Sequence, residues 1–203
     1  MKKLTLLLMI AGSSLAFAQT HFGVKAGYNL SGYKVGDYQL DNKSFFYIGG
    51  LAEHQLSEKF SLQGELLFTE LGGQDSQDLY DIVGDQVVQM GTQKIRLKLP
   101  QIQIPISAKY YISKPFSLSA GLNFGINLNP NVEFDPENFY NSSGKIENIK
   151  TINVFPFLGT EYKIAENFFV DARYHFNFIR INKKGSIDSN ISIFQIGLGY
   201  LFK

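Results

Sequence analysis

The stretch FSLSAGLNFGINL, Phe116 to Leu128, alternates without a break. Phe116, Leu118, Ala120, Leu122, Phe124, Ile126 and Leu128 fall on one face of an extended chain. Ser117, Ser119, Gly121, Asn123, Gly125 and Asn127 fall on the other. Period two means a strand, and a run this long is about twice the usual strand length of a soluble protein. A tilted strand crossing a bilayer needs roughly 9–11 residues plus some extension at its ends. Length and alternation together point to a strand that faces lipid on one side.

The chain begins MKKLTLLLMIAGSSLAFAQ. Two lysines, an apolar run from Leu4 to Ile10 and small residues ending Ala16-Phe17-Ala18 read as a secretory signal peptide cleaved after Ala18. The apolar run is too short for a transmembrane helix. We therefore expect residues 1–18 to be a signal peptide and residues 19–203 to form one barrel domain. No cysteine is present, which excludes a disulfide framework, a lipid-anchor cysteine and thiolate chemistry. Formal net charge is +1, and removing Lys2 and Lys3 leaves the exported chain close to neutral. No basic stripe is available to hold phosphates, so no nucleic-acid partner is expected.

The same period extends along the chain, which is rich in Phe (18), Tyr (11) and Gly (19). Strand one is HFGVKAGYNL, with Phe22, Val24, Ala26, Tyr28 and Leu30 on its apolar face. Further strands are expected from about Ser44 to His54, from Phe60 to about Leu71, and in QIQIPISAKYYI. Phe116–Leu128 is the fifth, about Thr151 to Tyr162 the sixth, FFVDARYHFNFI the seventh and ISIFQIGLGYLF the eighth. Leu97 and Leu99 share parity with Gln101 and Gln103, which suggests a phase slip and a bulge near Leu99-Pro100. The expected fold is all-β: an eight-stranded antiparallel up-and-down transmembrane β-barrel.

Three stretches repeat one phrase: HQLSEKFSLQGEL from His54, YYISKPFSLSAGL from Tyr110 and YKIAENFFVDARY from Tyr162. Each spans a short connection, whereas GGQDSQDLYDIVGDQVVQMGTQ and NPNVEFDPENFYNSSGKIENIK are long and polar. Short turns at one rim and long loops at the other are the pattern of outer-membrane barrels, with the short turns in the periplasm. The repeat is thus one hairpin turn used three times. Its phenylalanines, Phe60, Phe116 and Phe168, are expected at the headgroup level together with Tyr110, Tyr162, Tyr200 and Phe202.

Aligning the copies assigns faces. His54, Tyr110 and Tyr162 share the outward parity of the three phenylalanines, so Glu53, Lys109 and Glu161 point inward. Gln63, Ser119 and Asp171 point inward on the returning strands, followed by Glu65, Gly121 and Arg173. Lys25, His175 and Gln195 join them. Charges facing lipid cost roughly 2–4 kcal/mol each near the midplane. Inside a narrow lumen they are tolerable when paired. We expect a charge network of Lys25, Glu53, Glu65, Lys109, Glu161, Asp171, Arg173 and His175, centred on Arg173, in a lumen filled by side chains.

Phe194, Ile196, Leu198, Tyr200 and Phe202 alternate to the end of the sequence, the kind of aromatic-terminated strand that barrel-assembly machinery reads. LKLPQIQIPISAKYYI resembles an L-x-I-P-x-x-x-K-Y-Y strand, and FFVDARYHFNF resembles an A-R-Y strand. With LSEKFSL and QIGLGYLF, these motifs make the chain similar to the PorT-like outer-membrane β-barrel proteins of Gram-negative bacteria. Ile104-Pro105 and Ala172-Arg173-Tyr174 carry the resemblance. It implies residence in the outer-membrane bilayer and insertion by the barrel-assembly machinery.

Catalysis is not expected. His21, His54 and His175 stand beside no serine and carboxylate in a nucleophilic arrangement. Asp75, Asp78, Asp81 and Asp85 lack the spacing of a calcium loop and read as a solvated face, so no metal or cofactor is expected. The NSS at Asn141 reads as an accident of composition in a bacterial loop. Two function classes remain: a structural or adhesive protein binding an extracellular ligand or protein through its loops, and a small pore or secretion-associated component.

Overall fold

The computed structural model describes residues 20–136, 142–147, 149–176, 181–182 and 189–202. The expected signal peptide, Asn141 and the last residues of the seventh expected strand lie outside these.

Among the described residues, eleven strands form one sheet. They are β1 (Thr20–Val35), β2 (Tyr38–Gln39), β3 (Lys43–Gln55), β4 (Phe60–Val83), β5 (Gln86–Tyr111) and β6 (Phe116–Asn127). The rest are β7 (Asn131–Asp135), β8 (Gly144–Lys145), β9 (Ile152–Lys163), β10 (Phe168–His175) and β11 (Ser189–Leu201). Eight of them run in the order β4-β3-β1-β11-β10-β9-β6-β5, and β5 returns to pair with β4. Every pairing is antiparallel, and the first and last strands meet from Gly23↔Leu201 to Val35↔Ser189. Closure leaves the wall no free edge, which a sheet in hydrocarbon requires because lipid cannot hydrogen-bond the backbone.

The wall is inverted relative to a soluble protein. Leu66 is 60% exposed, Phe68 55%, Leu158 56% and Ile196 53%, while Lys25, Lys109, Glu65 and Arg173 are buried. Apolar residues outside and charges inside identify lipid as the outer solvent.

The repeated phrase makes one turn three times. Leu56 N–H and Ser57 N–H both donate to the Phe60 carbonyl, at 2.9 and 3.1 Å. Ile112 and Ser113 do the same to Phe116 at 3.0 and 3.2 Å, and Ile164 and Ala165 to Phe168 at 2.9 and 3.3 Å. Each turn is also tied to the next strand round the rim. Tyr111 N–H donates to Lys59, Lys163 N–H to Pro115 and Leu201 N–H to Asn167, at 2.8, 2.7 and 2.8 Å.

Two expectations are corrected. The long stretch after Leu71 is no polar loop. β4 and β5 continue as a two-stranded ribbon, paired to Val83↔Gln86 across Gly84-Asp85. Gly84 has φ +66°, which suits the two-residue turn. The second correction concerns Leu99-Pro100. Leu71↔Leu99 and Glu70↔Pro100 follow in register, and the irregularity lies between Leu79 and Tyr80, where Met90 is the additional residue. Leu97 and Leu99 keep the inward parity of Gln101 and Gln103 because that end of the lumen is apolar. They pack there with Tyr33, Leu71, Phe155, Ile181, Ile191 and Ile193. The other long connection carries β7, which pairs with β5 from Lys94↔Asp135 to Lys98↔Asn131, and β8, which pairs with β7.

Candidate functional site

Alternation sends every second residue of each strand into the lumen, and the registers decide which of them meet. All eight residues expected in the charge network are buried. Seven form two sets of ion pairs. In the first, Lys25 Nζ lies 2.6 Å from Asp171 Oδ2 and 3.6 Å from Glu65 Oε2. Arg173 Nη2 pairs with Glu65, and its Nε lies 3.0 Å from Asp171 Oδ2. Two cations and two carboxylates balance. Gln63 Nε2 donates to Glu65 Oε1 at 2.5 Å, and the Phe157 ring lies 5.2 Å from the guanidinium carbon.

In the second set Lys109 Nζ bridges Glu53 Oε2 and Glu161 Oε1, each at 2.7 Å. The Tyr111 hydroxyl donates to Glu53. Lys163 Nζ stands 4.9 Å from the Tyr111 ring centre. Desolvating such ions costs several kcal/mol each, so they persist only where partners sit at hydrogen-bond distance. These do. His175 joins neither set among the described residues; its ring stacks on Phe157 at 5.1 Å and its Nδ1 is 3.5 Å from Asn123 Nδ2.

Above the first set, towards the ribbon, lies a layer of neutral polar groups. Asn29 Nδ2 donates to Thr69 Oγ1 at 2.7 Å, Gln195 Nε2 to Asn29 Oδ1 at 2.9 Å and Gln101 Nε2 to Asn127 Oδ1 at 2.6 Å. The apolar layer of Tyr33, Leu71, Leu97 and Leu99 follows. The lumen is thus crossed by ion pairs, then amides, then hydrocarbon. At the short-turn rim an open cavity of about 830 Å³ reaches inward to Glu53, Tyr111 and Leu201, lined also by His21, Lys114 and Lys163.

Tyr47 was not anticipated. It is fully buried, and its ring lies over Gly27 of β1 to reach β11, where a Cβ added at Gly197 would stand 1.8 Å from its hydroxyl. Its parity with Glu53 carried the signal: Phe45, Tyr47, Gly49, Leu51 and Glu53 share one face.

On the outside, the aromatics expected at one headgroup level form direct cross-strand partners. Phe60 faces Tyr110 with ring centres 5.0 Å apart, and Phe168 faces Tyr200 at 4.9 Å. Phe116 faces Tyr162, and Tyr200 also meets Phe202 at 5.7 Å. His54 Nδ1 lies 2.9 Å from Thr20 Oγ1 on this outer side.

At the opposite end, among the described residues, the ribbon is braced only at its base. Tyr38 donates to the Asp75 carboxylate, Asp41 pairs with Gln74, and β7 pairs with β5 up to Lys94. Asp78 Oδ1 accepts from Thr92 at 3.0 Å and Asp81 Oδ1 from the Ile82 N–H at 2.8 Å.

A closed meander of eight long strands, apolar outside and charged within, defines an integral outer-membrane β-barrel of Gram-negative bacteria. The chain belongs to the outer membrane protein β-barrel domain family, which matches residues 17–182. Its fold is that of Ail, the attachment invasion locus protein of Yersinia pestis, solved in complex with the heparin analogue sucrose octasulfate. Ail superimposes with TM-score 0.56 at 16% identity, over 91% of this chain and 99% of Ail. Neisserial surface protein A gives TM-score 0.56 at 15% identity, over 89% of this chain and 97% of its own. At such identities the likeness is one of fold. No curated protein matches the sequence.

Proposed function

We propose that this chain is a non-catalytic surface-binding barrel, exported by a signal peptide ending at Ala18 and plugged by its own side chains. The ribbon and the β6–β9 connection present its binding surface outside the cell. One observation carries the proposal: Lys25, Glu65, Asp171 and Arg173 meet across the lumen, and the layer of Tyr33, Leu71, Leu97 and Leu99 covers them. Two fold relatives bear the names attachment invasion locus protein and surface protein, which agree with this role. Within the family we group the chain with the PorT-like barrels on its LKLPQIQIPISAKYYI and FFVDARYHFNF strands.

The second possibility, a pore or secretion-associated component, is favoured by the cavity at the short-turn rim. Planar-bilayer recording separates the two. The purified protein is expected to insert without steady single-channel current, and sustained ohmic current through the wild type would remove the plugged barrel from consideration.

Orientation has its own check, because the chain has no native cysteine. Asp85→Cys, at the ribbon tip, is expected to react with a membrane-impermeant maleimide on intact cells. Lys59→Cys is expected to react only after the outer membrane is opened. The reverse pattern would put the ribbon in the periplasm.

A further inference from the structure

We infer that the outer edge of β4, from Ser76 to Val83, is a docking edge for an extended protein segment rich in basic and apolar side chains. This rests on the surface-binding role proposed above and names the class of partner. Beyond Gln74, no strand pairs with that edge among the described residues. Two of its amides are already held, Ser76 N–H by Asp75 Oδ1 and Ile82 N–H by Asp81 Oδ1, each at 2.8 Å, and the remaining outward N–H and C=O groups form a template for strand addition. The facing strand is a poorer template, because the additional residue Met90 interrupts the regular ladder of β5.

The ribbon also needs a third strand for physical reasons. It projects roughly 30 Å past Gln74 at about 3.3 Å per residue, and a lone two-stranded hairpin is marginal in water. Both of its faces carry apolar side chains. Paired residues share a face, so Tyr80, Ile82 and Val87 lie on one side and Leu79, Val83 and Val88 on the other. Ile82 is 73% exposed and Val87 71%. An added strand covers part of both rows at once.

Charge selects the occupant. Between Gln74 and Gln93 the ribbon carries Asp75, Asp78, Asp81 and Asp85 and no lysine or arginine. A second copy brings the same four carboxylates against these, and anionic lipid brings phosphates. Both are repelled. Asp78 and Asp81 lie on opposite faces, so a strand with lysines three residues apart places opposite charges beside both, which is favourable across strands.

The test uses the full-length barrel in zwitterionic nanodiscs and a labelled peptide of roughly ten residues, the span of one strand, with Lys at every third position among Val and Tyr. Fluorescence anisotropy is expected to show saturable binding to the wild type. Binding is expected to weaken by roughly tenfold or more, the equivalent of about 1.4 kcal/mol, under each of three changes. The first is a ribbon shortened by replacing residues 77–93 with Asn-Gly. The second is the double variant Asp78→Lys, Asp81→Lys, which should instead prefer a peptide carrying Glu for Lys. The third is N-methylation of alternate peptide amides.

Equal affinity for the wild type and the shortened ribbon would overturn the inference, as would undiminished binding of the N-methylated peptide. Ribbon-dependent dimers by analytical ultracentrifugation, or ribbon-dependent binding to anionic vesicles, would assign the edge to another occupant and overturn it too. Failure here stays distinct from failure of the plugged barrel. A silent bilayer recording with no ribbon-dependent peptide binding defeats the docking edge alone, whereas steady current defeats the underlying role.

Discussion

Arg173→Met is expected to lower the stability of the barrel by about 3–5 kcal/mol in equilibrium unfolding, the usual loss when one partner of a buried ion pair is removed. The size follows from what stays behind. Arg173 pairs with Glu65 through Nη2 and with Asp171 through Nε, while Lys25 contacts the same two carboxylates. Without the guanidinium, one ammonium faces two buried carboxylates. Adding Glu65→Gln removes the surplus charge and leaves the Lys25–Asp171 pair, 2.6 Å long, intact. The double variant is therefore expected to recover part of the loss, and the double-mutant cycle measures the Arg173–Glu65 coupling. Unchanged stability in Arg173→Met would mean that the lumen is wet and the charges solvated.

Tyr200→Ser with Phe202→Ser is expected to reduce the heat-modifiable barrel in the outer membrane several-fold. Tyr200 stands between Phe168 at 4.9 Å and Phe202 at 5.7 Å, so the double change removes both ring contacts. Aromatic pairs contribute about 0.5–1.5 kcal/mol beyond the area they bury. The same experiment tests whether this aromatic row is also read by the assembly machinery. Normal refolding into synthetic bilayers beside poor insertion in cells points to recognition. Equal loss in both points to the lipid-facing surface. Full insertion of the double variant in cells would count against both roles.

Strand positions were legible because lipid outside and polar groups inside impose one period on eight separate segments. The inward parity of Glu53, Lys109 and Glu161 followed from aligning three copies of one turn, and that of Asp171 and Arg173 from the same alignment. Which charges meet was not legible, since contacts across a barrel depend on the register of every intervening strand. Lys25 reaches Asp171 only because Lys25↔Gly199 and Asp171↔Gly197 hold together. The ribbon was obscured by composition: Gly72, Gly73 and the aspartates resemble a loop. Yet Ile82-Val83 and Val87-Val88 flank Gly84-Asp85, a hairpin signal in plain view. The supposed bulge came from treating inward as synonymous with polar. That equation fails at Leu97 and Leu99, where the lumen is filled by hydrocarbon.

The glycines of β1 and β11 bear on how the cylinder closes. Where these strands meet, Gly23 faces Leu201, Lys25 faces Gly199 and Gly27 faces Gly197. Each of these three pairs has at least one member without a side chain, so the inner surface of the seam is smooth at this end, whereas Asn29↔Gln195 and Tyr33↔Ile191 carry buried side chains further along. Tyr47 from β3 and Phe169 from β10 occupy the space: a Cβ at Gly197 would meet the Tyr47 hydroxyl at 1.8 Å, and one at Gly199 would meet Phe169 Cζ at 2.0 Å. At this end the last strand meets the first without bulky groups facing one another. The Lys25 ammonium lies over this glycine track to reach Asp171 on the far side of β11. That ion pair therefore needs β1 and β10 both seated against β11, and it fastens the seam from within.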